Sequence, residues 1–137
     1  MANNTDALLT PSMPHSPQAE QAVLGGIMLD PSVLPRVVEI LSKPEYFYNP
    51  IHQQIFAILM RMFSDSKTGD IITVINEAVT AGIFETSAMA KTYLGGLAEA
   101  VPSTANIESY CRIIEEKFRL RQLVNVANDI IEKANEG

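Results

Sequence analysis

With 137 residues, 47% of them hydrophobic and 19% charged, the chain is typical of one globular domain that can bury its own core. The formal net charge of −6 argues against strong direct binding of DNA by this chain, because gripping a phosphate backbone requires clustered Lys and Arg. The single cysteine, Cys111, excludes an intramolecular disulfide; with no signal sequence and no apolar run near the about 18 residues of a membrane span, we expect a reducing, cytoplasmic setting and no membrane partner.

The first predicted helix has a clear start in the sequence. Residues 1–15 show no periodicity and are predicted to form a disordered tail. Ser16 is a good N-cap and is followed by Pro17, a residue preferred at the first helical position. Apolar residues at helical spacing come next and are expected to face the core: Ala19, Ala22, Val23, Gly26 and Ile27.

Prolines also mark the next two helices. The second helix is predicted over residues 32–41, where Pro35 is tolerable only in the first turn, because the N–H groups there have no partner inside the helix. Asn49 as the cap and Pro50 as the first residue begin the third helix. Its apolar residues recur at helical spacing: Ile51, Ile55, Ile58, Leu59 and Met62.

Three more helices complete the predicted fold. The fourth covers residues 73–81 and ends at Gly82, a residue type that often terminates helices, and Asp70 before it is expected to form a turn or a helix cap. The fifth covers residues 87–100, and the last and longest covers residues 104–135. No segment alternates with period two over a useful length. The predicted fold class is therefore all-α, a compact orthogonal bundle of about six helices.

The sequence lacks the patterns of the common nucleotide-binding and metal-binding enzymes. The P-loop pattern G-x-x-x-x-G-K-[ST] does not occur, so no nucleotide site is predicted in this chain. His15, His52 and Cys111 are too few to supply a zinc site. His52 lies in an amphipathic helix, where a packed or capping role is favoured over catalysis. We therefore expect no catalytic residue, no bound cofactor and no metal site in this chain.

Five stretches resemble a known protein family. The first, PHSPQAEQAVLGGIMLDP at residues 14–31, is similar to the start of the N-terminal domain of bacterial replicative DNA helicases, the DnaB family. The likeness continues, in order and at family spacing, through EYFYNPIHQQIF, GDIITV, YLGGLAEAVPSTANIESYCRIIEE and LRQLVNVANDI. The chain departs from the family pattern at Ala90 and Lys91, where Gly-Gly is frequent, and at Gln53, where a basic residue is common.

The resemblance implies a role in DNA replication. Whole DnaB-family helicases are ring hexamers that unwind DNA with ATP and Mg²⁺, using a C-terminal RecA-like ATPase domain that this chain lacks. Their N-terminal domain forms a collar, assembled as a trimer of dimers, and carries a docking surface for the DnaG-type primase of the primosome; a helicase loader is a further partner. The resemblance implies a collar domain at residues 16–118 and the start of a dimerising helical hairpin at residues 119–137. The contrary hypothesis is a stand-alone helical adaptor unrelated to a helicase.

The adjacent glycines Gly25 and Gly26 lie inside the first predicted helix, where each costs about 1 kcal/mol relative to alanine. Because they have no side chain, another helix can approach the backbone closely, and the dispersion energy of that contact offsets the cost. Close packing between helices is therefore favoured for Gly25 and Gly26 over direct contact with a ligand.

Two groups of residues are candidates for contacts with partners. Aromatic residues dominate protein–protein hot spots, so Tyr46 and Tyr48 are the candidate partner surface, and Phe47 between them is assigned to the core. The other group is a basic concentration in the last helix: Arg112, Lys117, Arg119 and Arg121. Because acidic residues lie nearby at helical spacing, a solvated face or a salt bridge between subunits is favoured for this group over contact with DNA.

The last predicted helix carries two apolar stripes in succession. At about 100° per residue, the first stripe lies on one face: Ile107, Tyr110, Cys111, Ile114 and Phe118. The second lies on roughly the opposite face and holds the candidate self-association residues: Leu120, Leu123, Ala127, Ile130 and Ile131. The face changes near Arg119. Because two successive apolar faces on one helix need different packing partners, the second stripe is predicted to contact another subunit.

Overall fold

The described part of the chain contains six α-helices. The computed structural model describes residues 12–67, 69–101 and 103–137. The helices are α1 (Pro17–Leu29), α2 (Leu34–Ile40), α3 (Pro50–Ser64), α4 (Ile71–Thr80), α5 (Ser87–Glu99) and α6 (Ile107–Glu136). Short 3-10 helices occupy Pro31–Val33 and Pro44–Tyr46, and the described residues contain no strand. The prediction of an all-α fold is confirmed.

Side chains cap the start of four helices. The capping oxygens belong to Ser16 (α1), Asn49 (α3), Asp70 (α4) and Thr86 (α5), and each accepts a hydrogen bond of 2.9–3.2 Å from a nearby backbone N–H. Caps of this kind contribute about 0.5–2 kcal/mol each. Because Asp70 is the cap, α4 begins at Ile71, slightly before its predicted start. Pro35 lies in the first turn of α2, the one place where the sequence tolerates it.

Helix α4 ends at a glycine, as the sequence predicts. Gly82 has a φ of +79°, in the left-handed region that favours glycine. The N–H of Ile83 donates to the carbonyl of Ala78, and that of Gly82 donates to the carbonyl of Val79, each at 3.0 Å. These bonds satisfy carbonyls that the end of the helix would otherwise leave without partners.

Helix α1 lies at the centre of the core and packs most extensively against α6 and α5. The largest fully buried apolar side chains come from all along the chain: Leu24, Ile27, Leu41, Phe47, Ile55, Phe56, Leu59, Met62, Leu94 and Ile114. Ile51, which its spacing places in the core, is instead 36% exposed. The reason is that the neighbouring His52 takes the buried position in the first turn of α3.

The two halves of α6 have different surroundings. The buried residues of α6 end at Arg121, so the half that packs on the core covers residues 107–121. Beyond it, in residues 122–137, only Val124 is even partly buried. We call residues 107–121 the packed half and residues 122–136 the extension. Neither α6 nor any other helix in the described ranges has the combination of length and apolarity that crossing a membrane requires.

The end of the predicted tail contacts the fold. The ring of His15 stacks on the ring of Tyr48 with 4.4 Å between centroids, and the carbonyl of Pro14 accepts a hydrogen bond of 2.8 Å from Arg121. The prediction of a disordered tail therefore does not hold for Pro14 and His15, because a distant aromatic ring and a distant guanidinium hold them. The part of that prediction that covers residues 1–11 lies outside the described residues.

Candidate functional site

Gly25 and Gly26 let α1 lie directly against two other helices. A Cβ added at Gly25 would lie 2.2 Å from the carbonyl oxygen of Leu97 in α5 and 2.8 Å from Cγ2 of Val101. A Cβ added at Gly26 would lie 2.9 Å from Cδ1 of Ile107 in α6. Both glycines therefore lie in close helix contacts. Gly25 is the more restricted of the two, because it faces backbone, whereas the tip of Ile107 can move.

Helix α1 also carries a buried carboxylate. Glu20 is 2% exposed. Its Oε2 accepts a hydrogen bond of 2.7 Å from the N–H of Tyr48, and its Oε1 accepts one of 3.3 Å from the N–H of Asn49. The same Oε1 lies 2.8 Å from Nδ1 of His52. These contacts offset the cost of burying the carboxylate, and they attach the connector between α2 and α3 to α1.

His52 extends this network to α5. It is 1% exposed, and its Nε2 lies 2.9 Å from the hydroxyl of Tyr93. Burial, followed by the nearby Glu20 carboxylate, raises the pKa of Tyr93, so the hydroxyl keeps its proton at neutral pH. The tautomer that satisfies both contacts has its hydrogen on Nδ1, donates to Glu20 and accepts from Tyr93. His52 thus has a packed position, and the network connects α1, α3 and α5.

Sequence reasoning missed the role of Glu20, although a signal was present. Glu20 lies at helical spacing with Val23, Leu24 and Ile27 on the buried side of α1. A carboxylate on an otherwise apolar helix face needs hydrogen-bond donors inside the fold. The donors themselves could not be named from the sequence, because they come from the connector before α3 and from the first turn of α3, about 30 residues away.

Arg121 is buried and does not belong to a solvated basic face. It is 8% exposed; its Nη1 donates to the carbonyl of Pro14 and its Nη2 to the carbonyl of Tyr46, each at 2.8 Å. The guanidinium carbon lies 5.3 Å from the ring centre of Tyr48 and 5.7 Å from that of Phe118. Burial lowers the pKa of Arg121. The predicted solvated face is therefore wrong for Arg121, whose acceptors come from segments far away in the sequence.

The other arginines of that group face outward, as predicted. Arg112 and Arg119 are exposed and lie 3.2 Å and 3.4 Å from oxygens of Glu115. Arg112 also lies 3.8 Å from an oxygen of Glu108. Exposed pairs of this kind contribute about 0–1 kcal/mol each to the stability of the fold, so these arginines add little to the stability of α6.

The two tyrosines predicted to form a partner surface brace the connector between α2 and α3. The ring of Tyr46 is half-buried, with its centre 4.4 Å from that of Phe118. Tyr48 is 38% exposed, and its ring centre lies 5.3 Å from the guanidinium carbon of Arg121. Phe47 between them is fully buried, as predicted. Tyr46 is thus held within the chain, and of the pair only Tyr48 presents a substantial exposed area.

The extension of α6 exposes an apolar stripe. Leu123, Val126, Ile130 and Ile131 are each more than half exposed, and Leu120, near the end of the packed half, is 38% exposed on the same side. With the exposed Ala127 they form what we call the α6 stripe. Val126 is absent from the predicted set, although its position one turn after Leu123 places it at the edge of the same face. Contiguous exposed apolar residues of this kind mark sites of interaction.

A second apolar surface lies at the start of α5. Its lining forms a shallow groove of about 460 Å³: Phe84, Ala88, Met89, Thr92 and Tyr93. Sequence reasoning missed this groove. Its lining comes from the turn before α5 and one face of α5, and neither has an apolar pattern strong enough to predict a surface site. Gly95 and Gly96 follow on the same helix, and a Cβ added at either would meet no atom within 4 Å.

Known proteins are similar in sequence to this chain over most of its length. A family model described as the DnaB-like helicase N terminal domain matches residues 12–116. The replicative DNA helicase DnaB of Geobacillus stearothermophilus is 44% identical over 117 residues, which cover 85% of this chain and 25% of that protein. The replicative DNA helicase DnaC of Bacillus subtilis is 38% identical over 126 residues, covering 92% and 27%. The chain thus spans about a quarter of the length of these curated relatives.

Solved structures share the fold. The crystal structure of the N-terminal domain of DnaB helicase from Mycobacterium tuberculosis matches with a TM-score of 0.85 and 32% identity, over 92% of this chain and 90% of that one. A structure of a DnaB-like replicative helicase, described with its interactions with primase, matches with a TM-score of 0.72 and 28% identity, over 89% of this chain and 28% of that one. Sequence and fold agree, and the chain belongs to the family of DnaB-like helicase N-terminal domains.

Proposed function

We propose that this chain is the collar domain of a replicative DNA helicase and holds the subunits of a ring together through α6. The α6 stripe is the observation that carries this proposal: it is apolar, and it lies on a helix that has already left its own core. Covering it would remove apolar surface from water at about 25 cal/mol per Å². A second copy presents the same stripe, so two chains can cover each other in a symmetric contact.

Primase docking is the second part of the proposed role. The support is the likeness, at 28% identity, to a DnaB-like replicative helicase described with its interactions with primase. Two candidate surfaces for primase, the groove at the start of α5 and the exposed side of Tyr48, are separate from the α6 stripe. Self-association and primase docking can therefore occur on one chain at the same time.

The chemistry of DNA unwinding is assigned to the rest of the parent protein. The sequence of this chain contains no P-loop, so ATP and Mg²⁺ would act in a separate ATPase domain. Membership of the helicase family disfavours the alternative of an unrelated helical adaptor. Direct DNA binding by this chain is disfavoured by the net charge of −6.

Sedimentation over a range of protein concentrations tests the self-association. Leu123→Asp places a charge in the α6 stripe, and Asn125→Asp places the same charge on an exposed residue of the extension about 200° around the helix from it. We expect the parent chain and Asn125→Asp to show an average mass that rises with concentration. We expect Leu123→Asp to stay monomeric, because a buried, unpaired carboxylate opposes the contact.

The comparison between the two variants decides the outcome. If all three proteins stay monomeric at every concentration, the α6 stripe is not a self-association surface. If Leu123→Asp associates like the parent chain, the chain dimerises elsewhere. Primase binding is measured separately, with the purified 137-residue chain and the primase of the same organism. We expect Leu123→Asp to bind primase as the parent chain does.

A further inference from the structure

Arg121 occupies the last buried position of the stripe that packs α6 on the core. Ile107, Cys111 and Ile114 are the buried apolar members of that stripe, and Arg121 follows two turns after Ile114 on the same face. One turn further on, Asn125 is exposed. A charged residue therefore stands where the buried stripe ends and the extension begins.

The guanidinium of Arg121 joins three separate parts of the chain. One arm donates to the carbonyl of Pro14, just before α1, and the other donates to the carbonyl of Tyr46, in the connector before α3. The guanidinium carbon lies within about 6 Å of the ring centres of Tyr48 (5.3 Å) and Phe118 (5.7 Å). Arginine suits this place, because a planar fork can serve two acceptors while it stacks on aromatic rings.

We propose that Arg121 is an orientation clamp, which fixes the direction in which the extension leaves the globular part of the chain. The clamp consists of Arg121 with Pro14, Tyr46, Tyr48 and Phe118. It holds α6 at the last turn before the extension, in which only Val124 is even partly buried.

Because the extension is long, a small change in the direction of α6 at Arg121 moves the far end of the helix by a large distance. About 15 residues at 1.5 Å per residue make the extension roughly 22 Å long. A change in direction of about 10° at Arg121 would move the far end by roughly 4 Å, enough to misalign two apolar stripes. The clamp is a property of a single chain, whereas its consequence for the spacing of subunits in a ring rests on the proposed function.

Distances between spin labels in the full 137-residue chain test the clamp. One label is attached at Gln54→Cys, exposed on α3, and the other at Asp129→Cys, exposed on the extension. The native Cys111 is buried and its pKa is raised to about 12, so it stays unlabelled in the folded chain. Mixing with excess unlabelled chain ensures that the measured distances lie within one molecule.

Arg121→Met removes the donors and keeps most of the side-chain volume. We expect it to replace the single narrow distance peak of the parent chain with a broad, shifted distribution. We also expect it to abolish the proton NMR contacts between the rings of His15 and Tyr48, because Pro14 is released. Arg119→Met is the matched control: Arg119 is exposed, and its bond is to Glu115 on its own helix. It should retain the parent peak and the ring contacts.

A role in stability alone would lower the unfolding temperature of Arg121→Met and leave the distances in the folded protein unchanged. That result, with the ring contacts retained, overturns the clamp. If circular dichroism shows that Arg121→Met does not fold, Arg121→Lys decides, because it keeps the charge and loses the fork. A broadened distribution in Arg121→Lys supports the clamp, and a parent-like peak overturns it. These distances are measured within one molecule, whereas self-association is measured by sedimentation. Either proposal can therefore be overturned while the other is retained.

Discussion

The packed half and the extension of α6 have similar apolar patterns and different surroundings. In the packed half, the apolar stripe is covered by α1 and α2 of the same chain. In the extension, the stripe is exposed throughout the described residues. Helical spacing therefore indicates that a face is suited to burial, and it does not say which molecule buries it. The difference shows how one helix can belong to a domain at one end and to an assembly at the other.

The two glycine pairs show the same contrast on a smaller scale. Gly25 and Gly26 lie in contact with α5 and α6, whereas Gly95 and Gly96 have open space where a side chain would be. Both pairs read alike in the sequence. Surfaces with a partner and surfaces without one should therefore differ in reactivity and in their contribution to stability.

The largest expected contrast is in thiol reactivity. Burial, reinforced by the Glu108 carboxylate, raises the pKa of Cys111 in the packed half to about 12. A cysteine introduced by Leu123→Cys in the extension is exposed and should keep an ordinary pKa near about 8.5. At pH 8 the introduced thiol should react with a disulfide reagent faster than Cys111 by on the order of 10²-fold or more, because Cys111 is largely protonated and its burial shields it from the reagent. Comparable rates at the two positions in the folded chain would show that the packed half opens readily.

The next contrast is in side-chain truncation. Ile114→Ala removes a fully buried side chain from the packed half and should lower the free energy of unfolding by about 2–5 kcal/mol. Ile130→Ala makes the same change in the extension, where the side chain is 63% exposed, and should change it by less than about 0.5 kcal/mol in dilute solution. Urea unfolding of both variants measures this. Equal losses would mean that the extension is packed within its own chain.

The smallest expected effects separate the glycine pairs. Gly25→Ala should destabilise the chain by about 1–3 kcal/mol, because the new methyl group meets the backbone of Leu97. Gly26→Ala should cost less, since Ile107 can move its tip. Gly96→Ala should raise stability by up to about 1 kcal/mol, because alanine favours the helix and meets nothing. Thermal unfolding orders the three, and stabilisation by Gly25→Ala would contradict the close contact.

Local features of the fold could be predicted from the sequence, and distant contacts could not. Ser16, Asn49 and Gly82 act through neighbours within a few residues, so their roles as caps and terminator follow from local rules. Arg121 bonds to carbonyls 107 and 75 residues away, and no local pattern names such acceptors. Charged residues on the buried face of a helix, such as Glu20, are the positions at which the sequence shows that a distant partner must exist.

Amide hydrogen exchange along α6, measured at low and high protein concentration, tests most directly that the extension serves a second chain. Amides of the packed half should be equally protected at both concentrations, because their cover is intramolecular. Amides of residues 122–136 should exchange rapidly at low concentration and become protected at high concentration, and Leu123→Asp should abolish that change. Protection of the extension that is the same at both concentrations, whether high or low, would contradict the account.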